Sequence, residues 1–112
     1  MGIIKDRELQ NIYYHTSFNK EVSKLLKGYS NRHDFLEWLS SRLILLDDPE
    51  YDELDNYKSF ERLTDTPQPL YSLTYRHKEK NIRILYCKND DKKVYLLDVY
   101  KRQPLKRPMS MN

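Results

Sequence analysis

The chain of 112 residues contains one cysteine, Cys87, and two glycines, Gly2 and Gly28. A lone cysteine excludes an internal disulfide, which fits a reducing compartment. Two widely separated glycines exclude a glycine-rich phosphate loop, whose backbone must approach the phosphates closely at several successive positions. Long apolar runs are missing too. The longest aliphatic run is LILL at 43–46, far below the roughly 18 residues that a membrane span requires. Lys5, Asp6, Arg7 and Glu8 interrupt the segment where the apolar centre of a signal peptide would lie. These absences predict a cytoplasmic protein with no membrane partner. Three scattered histidines, His15, His33 and His77, and one cysteine make no metal site, and no cofactor is expected. His15 and His33 read as structural, and Cys87 as a small packed hydrophobe.

Aromatic bulk and charge are what the chain has in quantity. Ten tyrosines and three phenylalanines accompany a charged fraction of 33%, a composition that builds one modest core in a single domain. The charge is polarised along the chain. Residues 1–70 carry 9 Lys/Arg against 13 Asp/Glu, and residues 71–112 carry 11 against 4, nets of −4 and +7. A basic half of this kind suits a polyanion or an acidic protein, and equally a set of solvated hairpins.

Periodicity divides the chain at TDTPQP, 64–69, where prolines and turn residues cluster. Before it, IYYHTSF (12–18) reads as a short strand. Phe18, Val22, Leu25, Leu26 and Tyr29 recur at helical spacing, with Gly28 as the stop. A second helix is predicted from Asn31 as its cap, with Asp34 three residues on and an apolar stripe of Phe35, Leu36, Leu39, Leu43 and Leu46. Pro49 ends it, or opens a third helix after the cap Asp48, carrying Tyr51, Leu54 and Tyr57. After the break the period becomes 2. YSLTYR (71–76), IRILYC (82–87) and VYLLDVY (94–100) form a three-stranded antiparallel meander. The tail, 104–112, is basic, has two prolines and little to bury, and is expected to be mobile.

Four-residue loops in both hairpins would pair His77 with Ile82 and Lys88 with Lys93. One face then holds Leu73, Tyr75, Ile82, Ile84, Tyr86, Tyr95, Leu97 and Val99 for the helices to cover. The other holds Thr74, Arg76, Arg83, Leu85, Leu96, Asp98 and Tyr100. Arg76 falls opposite Arg83, and Arg83 opposite Asp98. Two opposed arginines repel, and a phosphate gripped between them removes the repulsion. The plainer reading is an Arg83–Asp98 ion pair with Arg76 splayed into water, worth ~0–1 kcal/mol.

The segment LYSLTYRHKEKNIRILYCKNDDKKVYLLDVYKRQ (70–103) resembles the C-terminal half of the RelE/ParE toxin superfamily, most closely the HigB-like and phage Gp49-like branch. The likeness lies in a leucine-tyrosine strand ending in arginine, then NIRILY, a polar hairpin, and VYLL followed by aromatic and basic residues. It implies an α+β, RelE-like fold in residues 1–103: an N-terminal strand and two to three helices packed on one face of an antiparallel meander. It also implies a type II toxin, a metal-independent and ribosome-dependent mRNA endonuclease that a cognate antitoxin neutralises. In such enzymes the ribose 2′-hydroxyl attacks the adjacent phosphate, leaving a 2′,3′-cyclic phosphate and a free 5′-hydroxyl.

By this resemblance Arg83 stabilises the phosphate and Arg76 is a second contact. Tyr100 and Lys101 match the aromatic-basic end of the last strand, where stacking or proton transfer occurs. Lys78, Lys80, Lys101 and Arg102 would contact RNA. His77, beside Arg76, is a candidate acid or base, and also reads as a solvated hairpin histidine. Asp98 departs from the pattern, because relatives carry a histidine or another basic residue near there. An aspartate has two readings, a general base or a neutralising partner of Arg83. The same fold also hosts non-catalytic ParE-like toxins that bind DNA gyrase, and it would serve a phage or plasmid protein as a plain binding module.

Overall fold

A computed structural model describes residues 2–56, 58–77 and 80–102. The elements are β1 (Ile3–Lys5), β2 (Ile12–His15), α1 (Phe18–Leu26), α2 (Arg32–Asp47), α3 (Glu53–Asn56), β3 (Phe60–Arg62), β4 (Tyr71–Arg76), β5 (Asn81–Lys88) and β6 (Val94–Lys101). They form a small α+β domain whose helices pack against one face of an open, mixed sheet of order β1-β2-β6-β5-β4-β3. The basic tail from residue 104 lies outside the described residues.

The helices form where the apolar spacing predicts them. Phe18, Val22 and Leu26 are buried on α1, and Phe35, Leu39, Leu43 and Leu46 on α2. Gly28 follows α1 with φ 76°, a left-handed conformation that glycine adopts without the clash a Cβ would bring. Asn31 precedes α2 but makes no side-chain capping bond. Pro49 follows α2, and the third helix starts later than predicted. Asp52 Oδ1 accepts the Leu54 N–H at 3.2 Å, and four residues of helix begin at Glu53.

The core joins Phe35, Tyr75, Ile82, Ile84 and Tyr86 to Ile12, Val94 and Leu96. Phe35 and Tyr75 meet edge to face at 4.9 Å, a geometry aromatic quadrupoles favour. Asn11 ties β2 to the rest of the domain. Its backbone N–H donates to Asp47 Oδ1 at 2.6 Å and its side-chain amide to the Asp47 carbonyl at 2.8 Å, while Lys93 Nζ donates to its Oδ1 at 3.0 Å.

The sheet differs from the predicted meander in three ways. First, β2 runs parallel to β6, pairing Tyr13 with Tyr95 and Tyr14 with Leu96, so the sheet is not wholly antiparallel. The helical crossover between the two strands makes parallel pairing feasible. Second, short strands β1 and β3 extend the two edges. Third, the register is shifted: Arg76 pairs with Asn81, Thr74 with Arg83, Arg83 with Tyr100 and Leu85 with Asp98. The first hairpin turns more tightly than predicted, with His77 and Lys80 exchanging backbone hydrogen bonds.

A bulge between Leu85 and Tyr86 moves the partner from Asp98 to Leu96, leaving Leu97 extra. One inserted residue reverses the alternation beyond it. Leu96 is therefore 0% exposed and Val94 is buried, whereas Leu97 is 40% exposed. Strict alternation assigns Tyr95 and Leu97 to the core and Leu96 to the opposite face, and the bulge overturns all three assignments.

Candidate functional site: the open face of the sheet

All three helices lie on the side of Tyr75 and Tyr86. The opposite face therefore shows side chains of the central strands without a helical layer. Alternation from the observed pairs puts Arg83, Leu85 and Cys87 of β5 there, with Ser72, Thr74 and Arg76 of β4, Asp98 and Tyr100 of β6, and Tyr13 and Tyr95 beyond the bulge.

Arg83 sits at the middle of this face, half-buried between Thr74 and Tyr100. Among the described residues, neither Arg83 nor Arg76 forms an ion pair. The Nε of Arg83 and the Oγ of Ser72 are both buried without hydrogen-bond partners. Ser72 and Thr74 are themselves buried, being small residues flanked by the longer cross-strand side chains of Leu85 and Arg83. A guanidinium stays charged at any ordinary pH, and a buried N–H without an acceptor costs about 1–3 kcal/mol.

The predicted contacts of Arg83 are therefore replaced. Arg76 is on the same face but diagonal to Arg83, not opposite it. Asp98 faces Leu85, is exposed, and turns its Oδ1 to the adjacent Val99 N–H at 2.9 Å. The predicted Arg83–Asp98 ion pair does not form, because the second hairpin is one residue longer than predicted, pairing Lys88 with Val94, and with the bulge it moves Asp98 two residues along the sheet. Tyr100 takes the place opposite Arg83.

The remaining candidates divide between the two sides. His77 belongs to the helix side: its ring lies parallel to Tyr75 at 6.1 Å and edge-on to Tyr29 at 6.1 Å, with Nδ1 buried and unpartnered. It does not join Arg83. Lys80 places Nζ over the Tyr29 ring at 5.0 Å, a cation–π contact at that same end. Lys101 pairs with the buried Ile82, so alternation directs it to the helix side of the exposed strand end. Arg102 follows it, exposed, its N–H bonded to the Asn81 carbonyl at 2.7 Å. Lys78 lies outside the described residues. Cys87 is half-buried, and burial pushes its thiol up. Among the described residues, no three His, Cys, Asp or Glu side chains gather as metal ligands, and no helix is long and apolar enough to cross a membrane.

One polar cluster escapes sequence reading. Glu53 is 1% exposed, accepting from Tyr86 Oη at 2.8 Å and from Lys88 Nζ at 2.6 Å. Burial, followed by the Glu53 charge, pushes the Tyr86 phenol far upward. Glu53 and Lys88 line a cleft of about 400 Å³ together with Glu50, Tyr71 and Lys92. The cluster fastens α3 to the sheet. In the sequence Glu53 is one of four acidic residues between 50 and 55, and nothing there separates a buried carboxylate from a solvated one.

Compared with protein-family models, with curated proteins and with solved structures, the chain matches none.

Proposed function

We propose that the open face binds RNA phosphate through Arg83, and that the protein is a RelE-like toxin of a type II toxin–antitoxin system, cutting mRNA on the ribosome. The observation that carries this reading is the half-buried Arg83 guanidinium, opposite Tyr100, with an unsatisfied Nε and no carboxylate partner. In RNA cleavage by 2′-hydroxyl attack, charge accumulates on the phosphorane oxygens, and a preorganised cation stabilises it where it develops. Arg76 supplies a second positive charge on the same face. Tyr100, opposite Arg83, and Asp98, two residues away on the same strand, are the groups proposed for proton transfer. The subset β2, α1, α2, β4, β5 and β6 follows the strand, two-helix, three-strand order that the resemblance implies, and β1, α3 and β3 are additions to it.

Mapping of mRNA 5′ ends after induction in cells tests the proposal. Wild type yields new ends and growth arrest. Arg83→Met keeps the aliphatic stem and removes the unsatisfied Nε, so its stability stays within about 1 kcal/mol of wild type while cleavage is lost. Unchanged cleavage by Arg83→Met refutes the assignment.

His77 favours a second reading. With that ring on the helix side, His77 does not serve Arg83 as an acid or base, which suits a non-catalytic toxin of the gyrase-binding kind. Inhibition of DNA supercoiling with mRNA left intact selects it. Under either reading the cognate antitoxin is an acidic protein laid over the same face, and its association weakens as salt rises.

A further inference from the structure

The bulge has a chemical consequence on the Arg83 face. By leaving Leu97 unpaired it turns Tyr95 out of the core and sets it beside Tyr13 of the parallel strand β2. The two rings stack at 5.1 Å with 24° between their planes, and both residues are half-buried. Bulges commonly re-aim a side chain beside a functional site. Tyr95 pairs across the sheet with Cys87, four residues along β5 from Arg83. At ~3.3 Å per residue that separation is about 13 Å. Leu85 lies between them, with exposed Leu97 nearby on β6. Asp98, opposite Leu85, repels a phosphate at that level and leaves Arg83 as the anion position.

From this arrangement we infer that the tyrosine pair is a nucleobase platform and that the ligand of this face is single-stranded RNA. A short strand lies along β5 with one phosphate at Arg83 and a nearby base against Tyr13 and Tyr95. Aromatic rings accept any base by its π-face, whereas duplex bases are held in their own stack and do not reach such a surface. The inference rests on the RNA reading of the Arg83 face and adds strandedness and the second anchor to it.

The test measures binding of a fluorescein-labelled RNA hexamer, single-stranded or annealed to its complement, across a salt series, with circular dichroism to verify folding of each variant. The expected results are tighter binding of the single strand than of the duplex, and a loss of about fivefold or more in Tyr95→Leu and in Tyr13→Leu without a change in salt slope. Tyr95→Phe, which keeps the ring, binds as wild type. Arg83→Met lowers the salt slope by about one. Bound hexamer also slows alkylation of Cys87, the cross-strand neighbour of Tyr95. Wild-type affinity in both Leu variants, with loss in Arg83→Met, overturns the platform and leaves the phosphate reading standing. Equal affinity for strand and duplex likewise overturns the platform. No binding by wild type overturns both.

Discussion

Replacing Glu53 by alanine is expected to destabilise the domain by about 2–4 kcal/mol. The Tyr86 hydroxyl, on a residue that is 0% exposed, loses its acceptor, and a hydrogen bond to a charged group contributes about 1.5–3 kcal/mol net. Lys88 adds less, because its side chain is 25% exposed and its ammonium regains water on release, leaving roughly 0–1 kcal/mol. Removing the desolvated carboxylate offsets part of the loss, and the stranded hydroxyl and the released α3 increase it. In a chain of this size each kcal/mol corresponds to ~4–8 °C in Tm. Urea unfolding, with an unchanged m-value, measures the effect. Glu53→Gln keeps an acceptor and costs about half as much, and Tyr86→Phe added to Glu53→Ala costs little more than Glu53→Ala alone. Full additivity in that pair, or a Glu53→Ala variant within about 0.5 kcal/mol of wild type, refutes the reasoning.

Two further outcomes follow from the same geometry. Tyr75, pushed from 10.0 up to about 12 by burial and then by the Tyr29 hydroxyl, holds its proton after the unfolded chain has released it. Folded protein then binds more protons than unfolded, so stability is level below about pH 10 and falls between 10 and 12; Tyr75→Phe flattens part of that fall in pH-dependent urea titrations. Along β6, Leu96→Asp buries a carboxylate at a site of 0% exposure and unfolds the domain by several kcal/mol, while Leu97→Asp leaves the thermal melt close to wild type. Equal effects at both positions would remove the bulge from the account.

Local periodicity carried the secondary structure well. Phe18, Val22 and Leu26 mark α1 and Phe35 to Leu46 mark α2, because a helical face depends only on neighbours three and four residues away. The direction of Arg83 was legible for the same reason: β5 is regular, so an arginine between Ile82 and Ile84 must point away from the face they share. The candidate site on the open face was legible only in part. Arg76, Arg83, Asp98 and Tyr100 do share it, but which of them meet does not follow from spacing, since pairing is set by loop closure and by bulges.

The sequence by itself thus determined α1, α2 and the strands β2, β4, β5 and β6, but not the edge strands β1 and β3, and it determined that Arg83 faces outward. Tertiary structure alone decided that Tyr100 opposes Arg83, that Asp98 does not, that Tyr95 joins Tyr13, and that Glu53 is buried. The physical reason is range. Alternation is a property of consecutive residues, whereas register, parallel pairing of β2 with β6 and burial of a carboxylate depend on strands brought together from distant parts of the chain.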